Sequence, residues 1–224
     1  MNNLSLDTTI IYPENKNSIK KAIILFHGYG GDGKDISMLS YNWTRHLENT
    51  IILCPNAHQK CSINPLGYQW FDLSNDEESF VINQTMEAEK KIIIYIEEIK
   101  KKFKLNNKDI CLSGFSQGCM ISINIGLTSN EEYNCIVGFS GKIINKEDLS
   151  NRIKSKANTL LIHGSLDSVV PPNNLLDAKD FFIRHKVNIE TKLIENCEHS
   201  IPLEASSHAL QSVSYTHLTL PTKA

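Results

Sequence analysis

Much of what this 224-residue sequence could do is excluded by what it lacks. Its longest apolar runs are four to six residues, far short of the roughly 20 that a membrane-spanning helix needs. The N-terminus, MNNLSLDTTI, has neither a basic stretch nor an apolar core, so no cleaved secretory signal is expected. Basic residues are dispersed apart from Lys100 to Lys102, and the net charge is only -2, which gives nucleic acid no footing. The six cysteines contain no C-x-x-C pair. Cys54, Cys111, Cys119 and Cys135 lie within or beside apolar segments, as buried reduced thiols do, and Cys197 is the one thiol expected to be exposed. With no secretory signal apparent and no apolar run long enough to span a bilayer, a cytoplasmic location is expected. No repeat, low-complexity tract or Gly/Ser linker breaks the chain, so one domain is expected.

What is present is the composition of an ordinary globular protein, 41% hydrophobic and 21% charged. Thr8 to Tyr12 is β-branched and stopped by Pro13, which suits an edge strand. Lys20 to Phe26 is apolar without alternation, as a strand covered on both faces is. Further strands are expected at Thr50 to Cys54, Ile110 to Leu112, Cys135 to Phe139, Thr159 to His163 and Val187 to Ile194. Between them, helices are expected at Asp35 to Asn49, Gln84 to Phe103, Met120 to Leu127, Lys146 to Lys154, Asn173 to His185 and Ile201 to Ser212. This rhythm predicts an α/β fold, a mostly parallel sheet with helices on both faces. Pro55 to Asn83 has no clean period, and a loop this long in one domain is usually functional.

The organising stretch is Asp109 to Leu127, DICLSGFSQGCMISINIGL. An apolar run enters Gly114-Phe115-Ser116-Gln117-Gly118 and a second leaves it, which predicts strand, sharp turn and helix. Such a turn exposes a serine hydroxyl above the sheet edge, at the positive end of the following helix. The pentapeptide alone decides little, because chance supplies it in roughly one of a dozen or more chains of this length. In open α/β sheets, ligands gather beyond the carboxyl ends of the strands. Asp167 and His199 both stand a few residues past a predicted strand, and the order Ser116, Asp167, His199 is that of the α/β-hydrolases.

The alternatives rank lower by the same filter. His46, His185 and His208 fall in or near helices, and His27 and His163 precede glycines at strand ends, where a structural hydrogen bond suits them. His58, in the long loop, is the competitor for the base, and Asp177 and Asp180 compete with Asp167 from the next helix. The chemistry explains why these types are needed. A serine becomes a good nucleophile when an imidazole takes its proton, and a buried carboxylate fixes that imidazole's tautomer. A negative tetrahedral intermediate needs amide donors. The N–H groups of Gln117, at the helix start, and of Tyr29, in the loop Gly28-Tyr29-Gly30-Gly31-Asp32-Gly33, are the candidates. No Lys-Ser/Thr follows that loop, so it is no P-loop, and Asp32 receives no role.

These residues resemble the carboxylesterase, lysophospholipase and acyl-protein thioesterase family of small α/β-hydrolases. The matching pieces are Leu25-Phe26-His27-Gly28-Tyr29-Gly30, Trp70-Phe71-Asp72, Gly114 to Gly118, His163-Gly164 to Asp167 with Val169-Val170-Pro171, and His199-Ser200. The resemblance implies an α/β-hydrolase fold, Ser116, Asp167 and His199 as triad, and the Tyr29 and Gln117 amides as oxyanion hole. It also implies that Trp70 and Phe71 wall an acyl pocket; by residue type alone they read equally as core aromatics. The implied reaction is hydrolysis of a carboxylic ester or thioester through an acyl-enzyme, on a small molecule, a lysolipid or an acylated protein, with no metal or cofactor. Peptide hydrolysis on the same triad, or a non-catalytic binding module, are the alternatives. No long insertion separates Phe139 from Thr159, so no large cap domain and a relatively open site are expected.

The last twelve residues, Val213 to Ala224 (VSYTHLTLPTKA), resemble one reading-frame translation of a transposon-based sequencing adapter. They are set apart as a non-native tail, leaving residues 1–212 as the single domain.

Overall fold

The computed structural model describes residues 4–16, 19–75 and 77–218. Strands β1 (Thr8–Ile11) and β2 (Lys21–Phe26) precede the short helix α1 (Gly33–Ser37) and β3 (Thr50–Pro55). A two-stranded hairpin, β4 (Gln59–Lys60) and β5 (Tyr68–Gln69), leads to the long α2 (Glu78–Phe103). The rest alternates: β6 (Ile110–Phe115), α3 (Gln117–Thr128), β7 (Cys135–Phe139), α4 (Lys146–Arg152), β8 (Asn158–Gly164), α5 (Asn173–Arg184), β9 (Ile189–Ile194) and α6 (Leu203–Leu218).

The main sheet has the order β1-β3-β2-β6-β7-β8-β9. Only β1 runs antiparallel, on β3. The other pairings are parallel, which brings the loops after β2, β6, β7, β8 and β9 to one edge. Strands β3, β6 and β7 are buried almost end to end, as their unalternating sequences require. On one face Ile92, Ile96 and Ile99 of α2 and Phe182 of α5 pack with α3 and the sheet. On the other, Trp43 and Ala205, Ala209 and Val213 of α6 pack on Ile23, Cys111 and Val137. Each fully buried Ile contributes roughly 1.5–3 kcal/mol relative to exposure. The core helix α3 is buried from Gln117 to Leu127, as a helix wedged between sheet and neighbouring helices must be, and its polar Gln117, Ser122 and Asn124 are hydrogen-bonded inside the protein. No helix among the described residues is long and apolar enough to cross a membrane.

Three expectations are corrected. Asp35 to Asn49 is not one helix: α1 stops at Ser37, a 3-10 turn spans Met38–Tyr41, and turns follow. The cause is local. Ser37, Ser40 and Thr44 hydroxyls each bond the carbonyl three residues back, at 2.6, 2.5 and 3.1 Å, tightening the chain away from α geometry. The long loop carries the β4–β5 hairpin, and α2 begins at Glu78 rather than Gln84. At the other end α6 runs on to Leu218, with Val213 fully buried.

Candidate active site

At the end of β6 the chain turns through Ser116 with φ 53° and ψ -116° and enters α3 at once. A non-glycine residue in such a region costs on the order of 1–3 kcal/mol, so surrounding contacts must impose it. They do so by close packing. A Cβ on Gly114 would lie 2.3 Å from the carbonyl carbon of Gly118, and one on Gly118 would lie 2.2 Å from the Phe26 carbonyl oxygen. Ser116 N donates to Phe139 O at 2.9 Å, and Ser116 O accepts from Met120 N at 3.1 Å. As the first residue of α3, Gln117 has an N–H with no intrahelical acceptor. Its partner across the site is close at hand: a Cβ on Gly28 would stand 3.3 Å from that of Ser116, so the Gly28–Tyr29 peptide lies beside the serine.

Asp167 is buried in the loop after β8. Its Oδ1 accepts from Val169 N and Val170 N at 3.0 and 2.8 Å, and its Oδ2 accepts from His199 Nδ1 at 2.7 Å. Burial alone would raise its pKa, but the His199 and amide hydrogen bonds outweigh burial and hold the carboxyl below the usual range. With Nδ1 donating to Asp167, His199 keeps Nε2 as an acceptor. Phe115 backs the imidazole, with ring centroids 4.7 Å apart. The Asp167 and His199 loops are stitched together: Leu166 N donates to Cys197 O at 2.8 Å and Asn196 N to Ser165 Oγ at 2.9 Å. A Cβ on Gly164 would lie 2.3 Å from Cys197 O. This packing buries Cys197, contrary to the exposure expected from its position.

Ser116, His199, Tyr29, Gln117 and Phe71 line one cavity of about 800 Å³, whose other walls include Val81, Ile82, Met120, Ile143 and Val170. No hydrogen bond joins Ser116 to His199 among the described residues. In unliganded enzymes such contacts are often long and tighten with substrate. The competitors lie elsewhere. Asp177 pairs with Lys146 at 2.8 Å, and His58 is absent from the cavity lining, its ring nitrogens buried without partners. His163 bonds Val170 O at 2.7 Å, beneath Asp167.

Trp70 does not wall the cavity. It is fully buried beneath the glycine loop, donating Nε1–H to His27 O at 2.9 Å and meeting Phe26 edge-on, while Phe71 reaches the cavity. The side chain of Gln117 explains this placement, and sequence reasoning gave it no part. Its Oε1 accepts from Trp70 N at 3.1 Å and its Nε2 donates to Phe71 O at 2.8 Å, both buried. His27 Nδ1 donates to Gly28 O at 2.7 Å while Nε2 accepts from Ala57 N at 3.0 Å. The hairpin holds the loop from outside, through Gly30 N to Tyr68 O and Tyr68 N to Gly31 O, both 2.9 Å, and Asn64 Nδ2 to Gly30 O at 2.7 Å. A polar side chain opening an otherwise apolar, buried helix was the available signal for Gln117.

A strained serine at a strand–helix turn, an Asp-bound imidazole and two candidate amides on this topology agree with the comparisons. The phospholipase/carboxylesterase family model matches residues 7–217. Acyl-protein thioesterase 1 of Kluyveromyces lactis is 26% identical over 87% of this chain and 91% of its own length. The esterase YpfH of Escherichia coli is 24% identical over 88% of this chain and 83% of its own. The crystal structure of esterase PE8 superposes with a TM-score of 0.89 at 30% identity, covering 94% of this chain and 99% of that one. The chain therefore belongs to the phospholipase/carboxylesterase family of α/β-hydrolases, enzymes of ester and thioester hydrolysis.

Proposed function

We propose that Ser116, Asp167 and His199 are a catalytic triad that cleaves carboxylic esters or acyl thioesters through an acyl-enzyme. The observation that carries this is the 2.7 Å bond from His199 Nδ1 to Asp167 on a base that shares its cavity with a strained serine. Ser116 Oγ attacks the substrate carbonyl as His199 Nε2 takes its proton. Asp167, kept ionised by its hydrogen bonds, stabilises the imidazolium without taking the proton itself. The Tyr29 and Gln117 amides receive the oxyanion. Collapse of the intermediate expels an alcohol or thiol that carries away the proton from His199. Water, deprotonated by the same nitrogen, then attacks the acyl-Ser116 ester, and the acid is released as His199 Nε2 returns the proton to the departing Ser116 Oγ.

Phe71 and the aliphatic cavity walls suit an apolar acyl group. The acyl-protein thioesterase relative supports an acylated protein as one donor, and a lysolipid or small ester would present the same acyl carbonyl. The six cysteines are buried and none is in a disulfide, which supports a reducing, cytoplasmic setting. The test is a panel of nitrophenyl esters and acyl thioesters with wild type and Ser116→Ala, alongside fluorophosphonate labelling. Substitution of Ser116 is expected to abolish labelling and lower kcat on the order of ten-thousand-fold or more. Wild-type turnover by Ser116→Ala would overturn the mechanism.

A further inference from the structure

The cavity at Ser116 has a second group of polar residues, where the starts of α2 and α4 meet: Glu78, Asn145, Lys146 and Glu147. Glu78 is the first residue of α2 and Asn145 is the N-cap of α4. Asn145 uses both ends of its amide. Oδ1 accepts from Asp148 N at 2.8 Å, capping its own helix, and Nδ2 donates to Glu78 Oε1. Both residues border the cavity, as do the aliphatic Val81, Ile82 and Ile143 beside them in sequence. No hydrogen bond or ion pair joins this pair to Ser116, His199, Tyr29 or Gln117 among the described residues.

Helices α2 and α4 are tied together a second time, deeper in the molecule. Arg152 pairs with Glu89 at 2.8 Å and with Asp148 at 2.6 Å, and the buried Glu89 also accepts from Asn124 Nδ2 at 3.0 Å. That cluster is charged, half-buried and multiply bonded, so it fixes the spacing of the two helices. The Glu78–Asn145 bridge is a single exposed hydrogen bond for which water competes.

We infer that the Glu78–Asn145 bridge closes the acyl cavity at its second polar group and limits the length of acyl chain the enzyme accepts. The inference rests on the ester and thioester reading above. A chain lying on the aliphatic walls gains roughly fourfold in binding per methylene buried. A chain that reaches the bridge must break its hydrogen bond and part the two side chains, which offsets that gain. Chain length is thus set by where the apolar wall meets the bridge.

Three variants separate the bridge from the helix cap. Glu78→Ala removes the acceptor. Asn145→Ser keeps a capping oxygen for Asp148 N but is too short to reach Glu78. Glu78→Gln keeps an acceptor for Asn145 Nδ2. The readout is the ratio of kcat/KM for nitrophenyl dodecanoate to that for the butyrate, which cancels any loss of folded enzyme. Glu78→Ala and Asn145→Ser are expected to raise the ratio roughly tenfold, mainly through KM, as two or so further methylenes are buried. Glu78→Gln is expected to keep the wild-type ratio. An unchanged ratio in both bridge-breaking variants, with Ser116 still labelled by fluorophosphonate, overturns the inference alone. A wild-type protein that neither takes the label nor turns over any ester overturns the ester and thioester reading, and the inference with it.

Discussion

Replacing Gln117 by Met tests whether the proposed oxyanion donors depend on a buried side chain whose hydrogen bonds go to Trp70 and Phe71. The variant keeps the backbone N–H at position 117, and Met is close to Gln in volume. What it removes is the pair of buried hydrogen bonds to Trp70 N and Phe71 O. Leaving a buried donor and a buried acceptor unpaired costs about 1–3 kcal/mol each, so the expected loss is about 3 kcal/mol. For a chain of this size that lowers Tm by roughly 6–12 °C. The second consequence is catalytic. Freed from Gln117, the Trp70 backbone relaxes its indole bond to His27 O, and His27 directly precedes the Gly28–Tyr29 peptide beside Ser116. Deleting an oxyanion donor outright costs about a hundredfold to a thousandfold in kcat, so blurring the position of one should cost roughly tenfold, with KM little changed. Thermal unfolding and steady-state kinetics on one ester suffice. Wild-type Tm together with wild-type kcat would refute the clamp, whereas lost stability with full kcat would leave it a packing device only.

Asp167→Asn is expected to lower kcat about ten-thousand-fold while the protein stays folded, since Asn can still accept from Val169 N and Val170 N but no longer imposes the His199 tautomer; a kcat within tenfold of wild type would contradict the assignment. Stability should fall as pH drops below about 6.5: burial lowers the pKa of His27 and His58 from that value, so the unfolded chain binds protons first, and the loss deepens until the folded-state pKa values are reached. Urea unfolding between pH 8 and pH 5 reads this slope, and His27→Gln should flatten part of it; a wild-type curve flat over that range would show that both rings protonate without penalty.

The parts of the fold that were legible in the sequence are those fixed by local composition. The β2 and β6 strands are apolar without polar alternation, and each ends at a glycine-bearing turn, so covered parallel strands followed by functional loops could be read directly. Ser116, Asp167 and His199 were singled out by residue type at strand ends, and the structure places them on neighbouring loops at one sheet edge. The Asp35 to Asn49 segment misled because its apolar spacing is helical while its hydroxyls close tighter turns, a competition that periodicity does not register. Trp70 was ambiguous for another reason. Its indole N–H finds an acceptor at His27, 43 residues away, and its backbone is held by Gln117, 47 residues away. Pairings at that range depend on which strands become neighbours, so local sequence pattern carries no trace of them. The Glu78–Asn145 bridge was hidden in the same way.

The stitching between the loops of Asp167 and His199 has a mechanical consequence. With Leu166 and Asn196 bonded across the two loops and Gly164 pressed on the Cys197 carbonyl, Asp167 and His199 form one stiff jaw. The serine belongs to the other jaw, rooted in β6 and α3. The slack in the constellation therefore lies at a single joint, between the imidazole and the hydroxyl. On the proposed mechanism, an arriving acyl group closes that joint and a departing product reopens it, while the imidazole stays aimed throughout the cycle.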